Sequence, residues 1–245
     1  MGAMTTVFRR ELAGYFATPV AWVFIVIFLL TTAAFAFYLG NFFERGQADL
    51  LSFFTYLPWL YLFLIPAIGM RLWSEERKTG TIELLLTLPI SVPAAVLGKF
   101  LAAWAFVGIA LSLTFPFWLT VSYLGDPDHG VIVASYTGAL LMAGGYLAIT
   151  SCLSSLTQNQ VIAFVVSTVV CFLFTVSGTP IVLDFVSGWA PEMLVDQIAG
   201  FSFITHFQSI IGGVIDLRDL VFFASLIGVW LFANMIIIEY KKFAG

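Results

Sequence analysis

The stretch SEERKTGTIELLLTLP, residues 74–89, separates two long apolar segments in a chain that carries few charges. Hydrophobic residues make up 61% of the 245 residues and charged residues 10%, whereas an ordinary soluble domain is about 45–50% apolar and about 25% charged. A backbone inside a bilayer must satisfy its own hydrogen bonds, which favours helices. The composition therefore predicts an all-α polytopic membrane protein in which residues 74–89 connect two spans outside the bilayer.

Six apolar segments provide the spans of this predicted membrane domain, which takes up residues 1–245. A helix needs about 20 mainly apolar residues to cross a bilayer. Residues 130–183 contain no Asp, Glu, Lys or Arg and are too long for one crossing, and the polar run at 154–160 divides them into two. The predicted spans cover residues 19–40, 53–73, 92–124, 131–154, 160–183 and 220–240.

The orientation of the spans follows from the basic residues, which are enriched in cytoplasmic loops. If both termini lie in the cytoplasm, eight of the ten Lys and Arg residues are internal, and Arg45 and Arg218 are the two external ones. The sequence therefore predicts an even number of crossings, with both termini in the cytoplasm.

Two further segments fit amphipathic helices better than spans. Residues 4–18 predict an interfacial helix on the cytoplasmic leaflet; the alternative is a plain basic flank that serves topology. Residues 185–218 predict external helices that form an amphipathic cap before the last span; the cap either lies on the membrane surface or is a helix pair that dips partway into the bilayer. A helix over residues 197–215 of this cap would have an apolar face of Ile198, Phe201, Ile204, Phe207, Ile211 and Val214, and a polar face of Ser202, Thr205, His206, Ser209 and Gly213.

The second half of the charged stretch predicts a short cytoplasmic helix over residues 80–88. Gly80 can act as its N-cap, and Glu83 lies near its start, where a negative charge is favoured. Its leucines would have neither lipid nor a core around them and would need a partner. The alternative is an ordinary loop helix that packs on its own membrane domain.

Several short motifs give the chain a family resemblance. They are LPWLYLFLIPAIGMR (57–71), SEERKTGTIELLLTLPIS (74–91), LGKF (97–100), NQVIAF (159–164) and GVIDLRDLVFF (213–223). In their order and spacing the chain resembles the permeases of ABC-2 type (type V) exporters over nearly its whole length. It is most similar to the gliding-motility-type (GldF-like) permease subfamily, and less so to the permease of the nitrous-oxide-reductase maturation exporter.

The resemblance implies a role for the charged stretch, because in such permeases this element is the coupling helix that docks into a groove of a separate ATPase. The residues that would face the ATPase are Gly80, Thr81, Glu83, Leu84 and Leu85. Those of the charged elbow that would position them are Glu75, Glu76, Arg77 and Lys78. The turn from Leu156 to Gln160 would make a second, smaller cytoplasmic contact through Thr157, Gln158, Asn159 and Gln160.

The resemblance also implies the partners of the chain. Two copies of an ABC ATPase would bind ATP and Mg, so that this subunit itself would hold no cofactor. A second permease half would complete the complex, either an identical chain or a paralogue with a large external domain. The complex would lie in a bacterial inner membrane, in contact with membrane lipid and not with nucleic acid.

The sequence contains no motif for catalysis or metal binding. Gly98-Lys99 is followed by Phe100 and lacks the earlier glycine of a Walker A motif. His129 and His206 are far apart in the chain, and no H-E-x-x-H or G-x-S-x-G sequence occurs. We therefore expect that this subunit is not an enzyme and that any ATP hydrolysis belongs to a partner.

Charged residues are missing from the centres of the predicted spans, which argues against a carrier driven by protons or sodium. Lys99 and Glu239 lie near span ends, where their side chains are expected to snorkel toward water. Cys152 and Cys171 are expected to be buried, inert thiols. Two alternatives to an ABC permease stay open, a self-contained channel or secondary carrier and a membrane scaffold or assembly subunit that transports nothing.

Overall fold

The structure, a computed structural model, describes residues 2–82 and 90–244, with side chains up to residue 241. These residues form helices and connecting segments without a β-strand, so the predicted all-α polytopic fold is confirmed. In chain order the helices are α1 (Ala3–Ala17), α2 (Pro19–Ala34, continued by a wider turn over Phe35–Leu39), α3 (Phe42–Arg45), α4 (Leu51–Gly69), α5 (Arg71–Thr79), α6 (Val92–Ser112), α7 (Phe115–Leu124), α8 (His129–Ser154), α9 (Gln160–Val176), α10 (Pro180–Ser187), α11 (Glu192–Gly200), α12 (Phe203–Ile211) and α13 (Leu217–Ala244).

Five helical stretches of the described residues are long and apolar enough to cross a membrane. They are Pro19–Leu39, Leu51–Thr79, Val92–Leu124, His129–Ser154 and Leu217–Lys241. The pair α9 and α10 passes the same test together, although the two helices meet at an angle of 75°. If this bent pair is one span, the chain has six.

The bend between α9 and α10 departs from the straight span predicted over residues 160–183. Thr179 has an extended backbone, as expected for the residue before a proline, and Pro180 begins α10. Gly178 lies directly against Ser202 and Thr205, leaving no space for a side chain. The close approach of α12 at Gly178 therefore coincides with the end of the straight helix.

Helix α8 lies at the centre of the fold and packs against α4, α6, α9, α12 and α13. Glycines allow this close packing: a Cβ on Gly145 would lie 2.7 Å from Phe203, and one on Gly144 would lie 2.9 Å from Ile227. In the most apolar stretch of α8, 72% of the residues are buried, against 28% in α2 and 28% in α13. The first and last spans therefore expose long apolar faces to lipid or to another subunit.

Helix α1 packs along α6 at the point where Gly98 faces Val7. It ends at Thr18, whose extended backbone precedes Pro19, the first residue of α2. The helix predicted over residues 4–18 is thus present. Its position on the membrane surface stays a prediction, because the structure contains no membrane.

Residues 197–215 do not form one continuous helix, because α11 ends at Gly200 and α12 begins at Phe203. The helical conformation is interrupted at Phe201 and Ser202. The Ser202 hydroxyl accepts a hydrogen bond from the backbone nitrogen of Thr205 and so caps the start of α12. This break changes which residues face the core, so that Phe201 is exposed and His206 is buried. Nδ1 of His206 lies 2.6 Å from Asp219 Oδ1, and Nε2 lies 2.9 Å from the carbonyl oxygen of Gly200. Since Asp219 belongs to α13, the first contact joins the cap to that helix.

Candidate functional site

The charged elbow predicted from the sequence is helix α5, which directly continues the apolar helix α4. Its first turns are buried through Leu72, Trp73 and Ser74. Its last residues, Lys78 and Thr79, are exposed. The elbow is therefore a helical arm with a buried base and an exposed tip.

The base of the arm is held by Ser154, at the end of α8. The Ser154 hydroxyl accepts hydrogen bonds from the backbone nitrogens of Trp73 and Ser74, both at 3.1 Å, and donates one to the Met70 carbonyl oxygen at 2.8 Å. A serine hydroxyl has one donor and two acceptor positions, so all three are used. The indole nitrogen of Trp73 also donates to Ser151 Oγ at 3.3 Å, and Asn234 of α13 donates to the same oxygen at 2.8 Å.

A second set of bonds links the arm to the turn between α8 and α9. The guanidinium of Arg77 donates to the Ser155 carbonyl oxygen at 2.8 Å. Lys241, near the end of α13, donates to the same carbonyl at 3.0 Å and to that of Leu156 at 3.3 Å. Since the carbonyls of a helix end lack intrahelical partners, these two cations satisfy groups that would otherwise need water. The arm, the turn and the last helix thus meet at one point.

On its other side the arm joins a buried ion cluster around Lys99 of α6. The Lys99 ammonium lies 2.8 Å from Glu76 Oε1 and 3.1 Å from Glu11 Oε1, and 5.4 Å from the centre of the Trp73 ring. Arg10 lies 2.6 Å from Glu11 and 3.6 Å from Glu76. The side chain of Lys99 is 3% exposed, so the prediction that it snorkels to water is wrong. Two carboxylates compensate its burial instead, and they come from α1 and α5.

The charged groups of this cluster shift the pKa values of Glu11 and Arg10. Burial raises the pKa of Glu11, but the opposing effects of Lys99 and Arg10 are larger together, so its pKa lies below the ordinary value. The hydrogen bond to Glu11 raises the pKa of Arg10. Glu76 Oε2 is buried without a hydrogen-bond partner in the described residues. Through their contacts with Lys99, Glu11 and Glu76 hold α1, α5 and α6 together.

The residues predicted for the charged elbow and for the ATPase-facing surface divide into three groups. Lys78, Gly80 and Thr81 are exposed at the tip of the arm. Glu75, Glu76 and Arg77 are half-buried and make contacts inside the protein, with Arg71 Nε 2.9 Å from Glu75 Oε2. Glu83, Leu84 and Leu85, with most of the helix predicted over residues 80–88, lie outside the described residues.

The N-cap role predicted for Gly80 is wrong. Gly80 has φ +73° and ψ 3°, a left-handed conformation, whereas an N-cap residue is extended. A glycine in this conformation commonly ends a helix, because a side chain would be strained there. Gly80 therefore terminates α5, and the chain changes direction at the tip of the arm.

The predicted second contact is the turn that connects α8 to α9. Asn159 caps α9 by accepting hydrogen bonds from Val161 at 2.9 Å and Ile162 at 3.4 Å, and the Thr157 hydroxyl accepts one from the Asn159 backbone at 3.1 Å. Gln158 is exposed, whereas Gln160 is partly buried. The turn thus has a local structural role, and its exposed residues are Leu156, Gln158 and Asn159.

The sequence pattern of ABC-2 family transporter proteins matches residues 44–238 of the chain. The chain belongs to the ABC-2 transporter family. The matched region runs from α3 nearly to the end of α13 and includes the whole arm. This ABC-2 family member is accordingly a multi-pass transmembrane subunit of an ABC transporter, and the predicted family resemblance is confirmed at this level.

A more specific similarity links this ABC-2 permease to the heme exporter protein B of Paracoccus denitrificans (strain Pd 1222). The two are 33% identical over 79 residues, which cover 31% of this chain and 36% of the relative. The chain therefore matches little more than a third of the length of that relative.

Sequence reasoning missed the residues that fix the arm to the ABC-2 permease fold. The sequence places Glu11 only within a predicted interfacial helix and Ser154 only in a polar interruption. A lysine within an apolar stretch was the available signal, since a buried ammonium requires carboxylate partners.

Among the described residues no three His, Cys, Asp or Glu converge in a way that could hold a metal ion. Cys152 and Cys171 are buried free thiols, as predicted.

Proposed function

We propose that this chain is the permease subunit through which a separate ABC ATPase drives export, or transmits force, across a bacterial inner membrane. The observation that carries the proposal is the anchoring of α5: its base is bonded to Ser154 and Lys99, and its tip is exposed at Lys78 and Thr81. A helix bonded at its base and free at its tip is suited to receive a push from outside the membrane domain.

A force on residues 80–88 would have two routes into the spans. One route runs along the chain from α5 into α4. The other runs through Ser154 and Ser155 into α8 and α9, and through Lys241 into α13. Because α8 packs against most of the other long helices, displacement of the arm would move several spans together.

The charged elbow lies close to the turn proposed as the second contact with the ATPase. Arg77 of the arm bonds to Ser155, which directly precedes the turn that carries Leu156 and Gln158. Docking of Gly80, Thr81, Glu83, Leu84 and Leu85 would therefore bring this turn near the same partner. Both termini and both contacts would lie in the cytoplasm, where ATP is available to two ATPase subunits.

A second permease half would complete the complex. The exposed apolar faces of α2 and α13 would contact this second half or membrane lipid. Similarity to a heme exporter subunit supports export as the direction of transport. Membership of the gliding-motility-type subfamily remains a more specific proposal, which depends on the sequence motifs alone.

Affinity purification from native membranes tests the proposal. We expect the chain to co-purify with an ABC ATPase, and Lys78→Glu at the tip to reduce the amount recovered. Arg218→Glu is the matched control, because it reverses an exposed cation on the predicted external side. Failure to recover any ATPase would contradict the proposal. Proton- or sodium-driven uptake in liposomes without an ATPase would favour a carrier, and normal function beside an ATPase unable to hydrolyse ATP would favour a scaffold.

A further inference from the structure

A cavity of about 590 Å³ opens between α1, the first turns of α2 and the junction of α4 with α5. Pockets that bury small molecules usually have volumes of about 300–1,000 Å³. Its wall is mainly apolar, with Phe24, Ile68 and Phe106 among the lining residues. Gly14, Thr18 and Val20 at its edge are exposed, so the cavity is open to its surroundings.

Four charged side chains line the same cavity: Arg10, Glu11, Arg71 and Glu75. Arg71 donates to both carboxylate oxygens of Glu75, at 2.9 and 3.2 Å, and Arg10 donates to Glu11 at 2.6 Å. The side chains of Arg71 and Glu75 are 37% and 46% exposed, so a ligand can reach both. With two cations and two carboxylates, the charged lining has no net charge.

These pairs leave bonding capacity for a ligand. A guanidinium has five N–H donors and a carboxylate has about four acceptor positions, more than the bonds that Arg71 and Glu75 share. A group with both a phosphate and an ammonium could therefore join the pair, the phosphate toward Arg71 and the ammonium toward Glu75.

The location of the cavity determines what kind of ligand fits. Its apolar wall comes from the first turns of α2 and the last turn of α4, both parts of candidate spans. Its charged residues come from α1 and α5, where the chain leaves the apolar segments. The change from apolar to charged thus follows the change from bilayer to water, which suits an amphiphile from the adjacent leaflet.

We propose that this cavity binds a phospholipid with a zwitterionic primary-amine headgroup, a phosphatidylethanolamine. Its ammonium would donate hydrogen bonds to Glu75, its phosphate would accept from Arg71, and one acyl chain would lie along Phe24 and Phe106. A choline headgroup lacks N–H donors for Glu75, and an anionic headgroup without an amine offers no ammonium to Glu75 and adds a negative charge beside it. This site includes Glu75 of the charged elbow but not the exposed tip of the arm, and the proposed lipid binding does not depend on an ATPase.

Gly14 provides a way to close the cavity without disturbing the fold. It lines the cavity, and a Cβ added to it would meet nothing within 4 Å. Gly14→Leu would therefore enter the mouth without a clash, and leucine favours a helix more than glycine does. Gly228→Leu is the matched control, because Gly228 in α13 also has open space around it and does not line the cavity.

Native mass spectrometry of the purified chain in detergent measures the binding. Phosphatidylethanolamine, phosphatidylcholine and phosphatidylglycerol with identical acyl chains would be added, and glycerophosphoethanolamine would serve as a competitor without chains. We expect a preference for phosphatidylethanolamine of about tenfold, the effect of one charge-assisted hydrogen bond. Gly14→Leu should lose the bound lipid while unfolding at no lower temperature than the wild type, and Gly228→Leu should keep it.

A second variant tests the headgroup assignment. Glu75→Gln removes the carboxylate that holds the ammonium and leaves Arg71 charged, so the preference should shift toward phosphatidylglycerol. Equal binding of the three lipids to the wild type, full binding by Gly14→Leu, or an unchanged preference in Glu75→Gln would each overturn the proposal. The proposal would also be overturned if glycerophosphoethanolamine, added at the same concentration as the lipid, displaced the bound phosphatidylethanolamine. The apolar wall would then contribute nothing to the affinity.

Discussion

The hydroxyl oxygen of Ser154 accepts a 3.1 Å hydrogen bond from the backbone nitrogen of Trp73, which lies 81 residues earlier in the chain. This bond joins the base of the charged arm to the central helix of the fold. The same hydroxyl also bonds to Ser74 and Met70, so its bonding capacity is complete. Ser154 therefore fixes the arm at the point where α4 leads into α5.

Replacement of Ser154 by alanine should loosen the arm. Loss of these buried bonds costs roughly 1–3 kcal/mol, and we expect a lower unfolding temperature in detergent. If the arm transmits force, Ser154→Ala should retain its ATPase but lose part of the ATP-driven function. Ser112→Ala is the matched control, because the exposed Ser112 hydroxyl bonds only within its own helix, to Ile109 at 2.7 Å. Wild-type stability and function in Ser154→Ala would contradict this role.

Lys99→Met should destabilise the protein more strongly. The substitution leaves Glu76 and Glu11 without the buried cation that lies between them, and breaking a buried ion pair costs about 3–5 kcal/mol. The double variant Lys99→Met/Glu76→Gln should recover part of the lost stability, because a neutral amide replaces one of the two carboxylates left without Lys99. Unfolding measurements on the two single variants and the double variant form a double-mutant cycle. Purely additive effects would mean that Lys99 and Glu76 are not coupled.

Glu11 should make stability depend on pH in the acid range. Its pKa in the folded state lies below the ordinary value of a glutamate side chain, because Lys99 and Arg10 stabilise the carboxylate. The stabilisation is therefore fully present above the unfolded value and is lost as the pH falls through the lowered folded value. In Glu11→Gln the unfolding temperature should fall less than in the wild type when the pH is lowered into the acid range. An identical acid dependence in wild type and Glu11→Gln would show that the cluster does not stabilise the folded state.

Five of the six predicted spans coincide with helices that are long and apolar enough to cross a membrane, because an apolar run can be read directly from the sequence. The sequence could not predict which side chains pair across the fold. Lys99 lies 23 residues after Glu76 and 88 after Glu11, and the three meet only because α1 packs against α6 and α5 places Glu76 beside Lys99.

Local periodicity failed where tertiary contacts change the direction of the chain. Residues 197–215 have a regular two-faced pattern, yet the chain breaks at Ser202, whose hydroxyl bonds to the Thr175 carbonyl oxygen at 3.1 Å. The same region contacts Gly178, next to the bend that divides the predicted fifth span. A contact between two segments that are distant in sequence therefore explains both departures.

The proposed coupling segment predicts a loss of ATPase binding when its side chains are shortened. Removal of a charge-assisted hydrogen bond from Glu83 and of a buried Leu84 side chain costs about 1.5 kcal/mol each at the lower ends of their ranges. Glu83→Ala/Leu84→Ala should thus weaken binding on the order of 100-fold, with normal amounts of protein in the membrane. Glu192→Ala/Met193→Ala is the matched control, an acidic and an apolar side chain exposed on the predicted external cap. Unchanged ATPase binding in the first variant would mean that the segment is an ordinary loop.

Site-specific photocrosslinking from Thr81 tests the coupling role most directly. A photoreactive residue at position 81, at the exposed tip of the arm, should form a covalent adduct with the ATPase that co-purifies with the chain. The same residue at position 218, exposed on the predicted external side, should form none. An adduct from position 218, or no adduct from position 81 in a complex that still contains the ATPase, would contradict the account.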